Sequence, residues 1–111
     1  MRQAAPLLIL GIAVPLIALA RSPVPVERGR AVYAAKCADC HGRSFEGVEE
    51  APPLTGARFE AKWRGRSEAL YSKIKLSMPQ DDPGILTPGE AGDVTALILA
   101  ANHMTPAVSK P

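Results

Sequence analysis

The chain has 111 residues, enough for one domain and a further segment at its N-terminus. A domain of this size buries only a small core of its own. Its 13 Lys and Arg residues nearly balance its 11 Asp and Glu residues, so the charge gives no indication of a nucleic-acid partner.

Residues 1–20 have the pattern of a secretory signal peptide. Arg2 precedes an uncharged run from Ala4 to Ala20, and small residues end this run at the positions that an export peptidase recognises. We expect cleavage after Ala20, which leaves residues 21–111 as the mature domain outside the cytoplasm. A retained membrane anchor is the alternative, although the run is short for a bilayer span and is interrupted by proline and glycine.

Helix-compatible sequence extends from Val26 to about Cys40, after an extended spacer at 22–25 that its two prolines favour. Gly29 inside this helix costs about 1 kcal/mol relative to Ala. It therefore indicates either the close approach of another backbone, which we favour, or a frayed first turn.

The segment Cys37-Ala38-Asp39-Cys40-His41 ends this predicted helix. Two cysteines three residues apart, followed at once by a histidine, are the pattern of a c-type haem attachment site. One turn of backbone can direct both thiols to the two vinyl-bearing edges of one porphyrin, while the next residue presents an imidazole to the iron.

Three other interpretations of these cysteines compete with haem attachment. A thioredoxin-like redox pair is expected beside a strand–helix–strand pattern, which the sequence lacks. A zinc site takes four ligands, and only His103 is left to add. A disulfide between Cys37 and Cys40 would close a very short loop and leave His41 without a role. Haem attachment is the interpretation that uses all three residues.

Glycines, acidic residues and the pair Pro52-Pro53 predict a loop from Gly42 to Gly56. A histidine that binds a metal through one ring nitrogen usually donates the other N–H to a carboxylate or a carbonyl. The carbonyl of Pro52, on a rigid loop close to His41 in the sequence, is a suitable acceptor.

Phe59 and Trp63 predict a short helical turn from about Ala57 to Trp63, with both rings on one face. If a haem forms much of the core, a core position is also a cofactor contact, so both residues are candidate haem contacts. The basic residues around them indicate a solvated face, or alternatively contact with haem propionates or a partner: Arg58, Lys62, Arg64 and Arg66.

Two further helices are predicted. Ser67 is a candidate N-cap for a helix to about Lys75, after which Pro79 holds Met78 in an extended backbone. Thr87 and Glu90 form a capping box for a last helix that ends at about Asn102. The buried stripe of this helix is predicted to be Ala91, Val94, Leu97, Ile98 and Ala101. The tail from Met104 is expected to fray, and no segment alternates in polarity long enough to predict a sheet.

Taken together, these residues resemble the class I, mitochondrial-type c-type cytochromes over nearly all of residues 21–111. The match covers positions before, within and after the attachment motif: Gly29, Tyr33, 37–42, Pro52, Leu54 and Met78. A narrower likeness is to the single-haem cytochromes that accept electrons from periplasmic quinoprotein (PQQ) dehydrogenases. That likeness rests on Phe59, Trp63, Leu70, Ile74 and the segment 77–84.

The resemblance implies an all-α cytochrome c fold, in which the N- and C-terminal helices cross near Gly29 and short helices and loops surround one haem. It implies haem c attached through Cys37 and Cys40. It further implies His41 and Met78 as axial ligands, Pro52 as carbonyl acceptor and Leu54 against the ring. One departure is Leu97, where relatives often carry an aromatic residue, so Tyr33 is expected to pack on an aliphatic partner.

The implied function is one-electron transfer in the periplasm, without an enzymatic reaction, by an iron that cycles between Fe(III) and Fe(II). Expected partners are redox proteins, with a quinoprotein dehydrogenase as donor and a terminal oxidase or another cytochrome as acceptor. No nucleic acid is expected, and membrane contact is expected only if the signal segment is retained. The alternatives are a haem sensor or peroxidase-like enzyme with a displaceable Met78, and a fixed subunit of a dehydrogenase or oxidase complex.

Overall fold

The computed structural model describes residues 3, 4, 11 and 23–106. Across this part of the chain the regular elements are helices, and Val48 and Ala51 form an isolated β-bridge. The helices are α1 (Val24–Lys36), α2 (Ala38–His41), α3 (Ala57–Trp63), α4 (Ser67–Ser77) and α5 (Pro88–Ala101). The predicted all-α class is confirmed. The predicted export signal and its cleavage site lie outside the described residues, apart from positions 3, 4 and 11.

The N-terminal helix differs at both ends from the single helix predicted over 26–40. It begins at Val24, because Pro25 lies in the first turn, where a missing N–H costs no hydrogen bond. Of the spacer predicted at 22–25, Pro23 has an extended backbone and residues 24 and 25 are helical. Ser22 lies outside the described residues. At Cys37 the backbone leaves helical geometry (φ −123°, ψ −35°), and this break separates α1 from α2.

Helices α1 and α5 form the most extensive helix–helix contact among the described residues. At the crossing, a Cβ atom placed on Gly29 would collide with the backbone carbonyl of Asp93 and press on Leu97. The interpretation of Gly29 as a point of close backbone approach is confirmed. Beside it, the Arg28 guanidinium donates Nε–H to Oδ2 and Nη2–H to Oδ1 of Asp93, at 2.9 and 3.1 Å.

The start of α5 has the predicted capping box. Glu90 N–H donates to Thr87 Oγ1 at 3.1 Å, and Thr87 N–H donates to Glu90 Oε1 at 3.0 Å. Two of the N–H groups that a helix start leaves unpaired are satisfied in this way. The predicted stripe is buried at Ala91, Val94, Leu97 and Ile98 and half-buried at Ala101.

The prediction that the chain frays from Met104 is wrong for Met104 itself, and residues 107–111 of the predicted tail lie outside the described residues. Met104 N–H donates to Leu99 O at 2.9 Å, and His103 N–H donates to Ala100 O at 3.1 Å. With His103 in the left-handed region (φ 53°), this is the Schellman pattern that ends many helices. The pattern turns Met104 back onto Leu99, and both side chains lie in the main core cluster.

The middle helices occupy nearly the predicted segments. Helix α3 covers the expected 57–63, but α4 continues two residues beyond Lys75 and is preceded by Arg66 as its N-cap, so Ser67 is the first helical residue. The prediction of Ser67 as the N-cap is therefore wrong by one residue, and Ser67 is buried at the start of the helix. Leu70 and Ile74 are buried as predicted, and Tyr71 is half-buried.

The main core cluster joins α3, α4 and α5 with the segments that flank α5. Its buried members are Phe59, Leu70, Ile74, Leu86, Ala91, Val94, Ile98, Leu99 and Met104. A smaller cluster of Val26, Tyr33 and Leu97 fills the α1–α5 crossing. Within the described residues, no helix has the length and apolar character needed to cross a membrane.

Candidate haem-binding site

The cysteine–histidine motif lies where α1 breaks and α2 begins. Cys37 N–H donates to Tyr33 O at 2.8 Å as the last bond of α1, and its own carbonyl accepts from His41 N–H at 2.9 Å. One short turn therefore contains Cys37, Cys40 and His41, as predicted. Cys37 is half-buried against the core clusters, whereas Cys40 is exposed.

Both cysteines are free thiols, so the disulfide alternative is not seen. Burial raises the pKa of the Cys37 thiol to about 11, and the neighbouring Cys40 adds to the rise. The thioredoxin-like alternative lacks its expected strand–helix–strand surroundings, since the described residues form helices and one isolated β-bridge. No three His, Cys, Asp or Glu side chains in the described part of the chain are grouped to hold a metal ion, whereas a structural zinc takes four ligands.

The imidazole of His41 is oriented by one hydrogen bond. Its Nδ1 lies 2.9 Å from the carbonyl oxygen of Pro52, the contact that the sequence predicts. A carbonyl can only accept, so Nδ1 carries the proton, and in the neutral imidazole Nε2 then keeps its lone pair. The bond therefore leaves Nε2 as the ring nitrogen that can bind a metal, and it fixes the plane of the ring.

The loop after α2 is held by backbone hydrogen bonds at both ends. Gly47 N–H donates to His41 O at 2.7 Å, and Leu54 N–H donates to Phe45 O at 2.8 Å. Gly42, with φ 84°, ends α2 in a conformation that side chains disfavour. These contacts bring Pro52 beside His41.

Tyr33 has two roles that the sequence does not indicate. Its hydroxyl donates to Gly42 O at 2.6 Å, and its ring packs on Phe45 with centroids 4.6 Å apart. Burial raises its pKa to about 12, with smaller contributions from Cys37 and Glu46, so it remains a donor near neutral pH. Tyr33 does pack with Leu97, as expected, but its aromatic partner comes from the loop. Phe45 lies in no periodic pattern, so no sequence signal identifies it.

The apolar residues predicted to contact haem differ in how deeply they are buried. Phe59 is buried in the main core cluster, and its ring lies 6.4 Å from that of Trp63, which is half-buried beside it. Leu54 is half-buried and packs against both clusters. Two cations cover the Trp63 ring, with Lys62 Nζ at 5.1 Å and the Arg66 guanidinium carbon at 5.6 Å from its centroid.

Met78 follows α4 in the extended backbone that the sequence predicts, with φ −118° and ψ 148°. Its N–H donates to Ile74 O at 3.1 Å, and its side chain is half-buried. Met104 is 7% exposed and packed in the core. The structure therefore contains two methionines held by their surroundings, where the sequence predicts one.

These groups suit a covalently attached haem. The chain presents two free thiols and an imidazole with a free Nε2 on one turn. Half-buried apolar and aromatic side chains pack against the same core cluster as Cys37: Val32, Leu54, Trp63 and Tyr71. A haem ring needs an apolar surface of this kind together with thiols and an axial nitrogen.

The family model described as cytochrome c oxidase, cbb3-type, subunit III, matches residues 24–98, more than half of the chain. The chain belongs to this family. It is a c-type cytochrome, and its cofactor is covalently bound haem c. The match begins with α1 and includes most of α5, so it covers the attachment motif, the Pro52 loop and Met78.

Two similar proteins are named as dehydrogenases. A thiosulfate dehydrogenase of Allochromatium vinosum is 33% identical over 109 residues, covering 91% of this chain and 39% of the relative. A chain in the crystal structure of the sulfane dehydrogenase SoxCD from Paracoccus pantotrophus has a TM-score of 0.65 at 25% identity, covering 74% of this chain and 45% of that chain. The cytochrome thus spans less than half the length of each relative.

Proposed function

We propose that this cytochrome is a one-electron carrier in which His41 and Met78 are the axial ligands of a haem held by Cys37 and Cys40. The observation that carries the proposal is the His41–Pro52 hydrogen bond. It orients the imidazole and sets its tautomer within the turn that bears both thiols. Met78 is supported by its extended, half-buried position directly after α4.

When bound, haem c supplies an Fe(III)/Fe(II) couple. The residues of the chain set the reduction potential of that couple and decide whether other molecules can bind the iron. A thioether from Met78 is a soft, weak donor and raises the reduction potential relative to more basic ligand sets. If His41 and Met78 both bind the iron, no open position would remain for oxygen or peroxide, which favours electron transfer over catalysis.

A covalent haem is tested by extraction with acid acetone. The haem is expected to stay with the wild-type polypeptide and to be extracted from a chain in which both cysteines are replaced, Cys37→Ser with Cys40→Ser. Haem that leaves the wild-type chain in acid acetone would contradict attachment through these residues.

The alternative functions are tested by carbon monoxide. A haem sensor or a peroxidase-like enzyme needs a displaceable ligand, so its reduced form binds carbon monoxide at neutral pH. The electron carrier with Met78 in place does not. Co-purification with a large partner instead indicates a fixed subunit of a dehydrogenase or oxidase complex, which keeps electron transfer as the function.

The location we propose is the periplasm, with the signal segment removed after Ala20. The supporting feature is the charged start, uncharged run and small-residue end of residues 1–20. Fractionation of cells followed by N-terminal sequencing tests it, and a mature chain that begins at Arg21 is the expected result. A chain that retains Met1 in the membrane fraction would support the anchor instead.

The donor that we propose is a periplasmic dehydrogenase. The resemblance of residues 77–84 favours a quinoprotein, whereas the named relatives are a thiosulfate dehydrogenase and a chain of a sulfane dehydrogenase. The acceptor that we propose is a terminal oxidase or another cytochrome. Rates of reduction by a quinoprotein and by a sulfur-compound dehydrogenase from the same cell decide between the donors. An unrelated c-type cytochrome serves as the control for each.

A further inference from the structure

Asn102, the residue that caps the C-terminal end of α5, connects this helix to the loop that carries Pro52. It is 3% exposed, and its Nδ2 donates to two carbonyls at 2.8 Å, those of Leu54 and Ile98. Leu54 lies 48 residues earlier in the chain. The side chain therefore holds together two segments that are distant in sequence.

The other hydrogen bonds of the loop stay near the motif. Leu54 N–H donates to Phe45 O within the loop, and Gly47 N–H donates to His41 O at its start. Among the described residues, three side chains from outside the loop bond its backbone: those of Tyr33 at Gly42 O, His41 at Pro52 O and Asn102 at Leu54 O. Asn102 is the one of the three that lies far from the motif in the sequence. It binds at Leu54, two residues after the carbonyl that accepts from His41.

We infer that Asn102 is a positioning residue for the axial imidazole, because it fixes the backbone that presents the Pro52 carbonyl to His41. The inference rests on the proposed role of His41 as a ligand. A fixed carbonyl keeps the Nδ1–H hydrogen bond short, and this bond raises the basicity of Nε2. A more basic ligand lowers the reduction potential, so the loop anchor contributes to the potential.

The second observation is that the Asn102 side chain has a feature that destabilises the fold. Its Oδ1 is buried and has no hydrogen-bond partner in the structure. A buried acceptor without a partner is destabilising, whereas a leucine of similar shape would leave no such atom. The amide therefore suits this position through its two donor hydrogens, and one of these reaches the loop.

The test compares Asn102→Leu with Thr95→Val in the holoprotein. Thr95 is also buried in α5, but its hydroxyl donates to Ala91 O within the same helix. Thr95→Val therefore removes a buried hydrogen bond without touching the loop. We expect Asn102→Leu to raise the reduction potential, measured as an increase of about threefold in the ferrous-to-ferric ratio at a fixed ambient potential. Thr95→Val is expected to leave this ratio unchanged.

A second readout reports on the hydrogen bond itself. The Nδ1 hydrogen of His41, followed by proton NMR, is expected to exchange with water about tenfold faster in Asn102→Leu than in Thr95→Val. An unchanged potential and an unchanged exchange rate in Asn102→Leu, with both variants folded, would overturn the inference. An equal change in both variants would also overturn it, because the effect would then belong to α5 in general.

If Asn102→Leu does not fold, the wild-type protein carries the test. The amide hydrogens of Leu54 and Gly47 are then expected to be protected from exchange to about the same extent as that of Asn102. Rapid exchange at Leu54 and Gly47, with Asn102 protected, would contradict the anchor. His41→Ala separates the two proposals, because a low-spin spectrum that survives this substitution contradicts the ligand assignment and not merely the role of Asn102.

Discussion

Two methionines show how much the surroundings of a single residue decide its role. Met78 ends α4 with an extended backbone and a half-buried thioether. Met104 is turned by the Schellman pattern into the core beside Leu99. The sequence predicts that the chain frays at Met104, but Met104 is instead held in the core. The assignment of Met78 as ligand therefore depends on a test that separates a ligand from a core side chain.

Met78→Ala is expected to abolish the weak far-red absorption band that a thioether gives when bound to ferric haem. The substitution is also expected to open the reduced protein to carbon monoxide. Met104→Ala is the matched control. It removes a buried side chain and is expected to lower the free energy of unfolding by about 2–5 kcal/mol, while the far-red band remains. The reverse outcome for the band would assign Met104 as the ligand.

At this scale, the contacts that sequence can predict are those between neighbours in the chain. The bond from His41 to Pro52 spans a short loop, and the chemistry of a metal-bound histidine requires an acceptor nearby. The bond from Asn102 to Leu54 spans 48 residues. Nothing in either residue type indicates the other, because their meeting depends on how α5 packs.

At the scale of elements, helix ends are likewise predictable from the sequence only where the signal lies within a few neighbouring residues. The capping box of Thr87 and Glu90 is formed within four residues, so its pattern predicts the start of α5. The break at Cys37 and the turn at His103 have no such signal. The first separates α1 from the turn that bears the motif, and the second uses a left-handed histidine where glycine is more common.

The crossing of α1 and α5 predicts that alanine substitutions at two glycines change the stability in opposite directions. Gly29→Ala places a methyl group against the Asp93 carbonyl, and overpacking of this kind costs about 1–3 kcal/mol of the free energy of unfolding. Gly92 lies in α5, and a methyl group added there would meet no neighbouring atom within 4 Å, so Gly92→Ala is expected to stabilise by up to about 1 kcal/mol. Denaturant unfolding of both variants measures the difference. Equal stabilities would mean that the helices cross elsewhere.

The Arg28–Asp93 ion pair at the same crossing makes the stability of the protein depend on pH. The hydrogen bonds from Arg28 hold the pKa of Asp93 below its ordinary value of 3.8. Because this folded-state pKa is depressed, the stabilisation is present above the unfolded-state pKa and is lost as pH falls through the folded-state pKa. The effect is small, since the Arg28 side chain is 58% exposed.

We therefore expect wild type to melt above Asp93→Asn near pH 7. The difference between their melting temperatures is expected to shrink as the pH falls below about 4 and to be lost below the lower, folded-state pKa of Asp93. Thermal unfolding at several pH values measures it. Glu27→Gln breaks the exposed Glu27–Arg30 pair within α1 and is the control, because it leaves the α1–α5 crossing intact. A difference between wild type and Asp93→Asn that does not decrease between pH 7 and pH 2 would contradict the ion-pair explanation.

Across the whole molecule, two parts differ in how they are held. The α1–α5 crossing is built from contacts of the chain with itself: the Gly29 approach, the Arg28–Asp93 pair and the cluster of Val26, Tyr33 and Leu97. Helix α3 has only seven residues and no side-chain cap at its start, and a helix of this length is marginal alone. Its Trp63, a candidate haem contact, is half-buried against the main core cluster. We therefore expect the α1–α5 crossing to depend less on haem for its stability than helix α3 does.

Removal of haem tests this division. The double variant Cys37→Ser with Cys40→Ser, prepared without haem, is expected to lose stability because an apolar surface that haem covers becomes exposed. Amide hydrogens of α1 and α5, such as those of Tyr33 and Leu97, are expected to remain the best protected, while those of α3 exchange close to the rate of an unfolded chain. Hydrogen exchange read by NMR, with the holoprotein as reference, measures the order. Protection of α3 equal to that of α5 in the haem-free chain would mean that the protein core alone determines the fold.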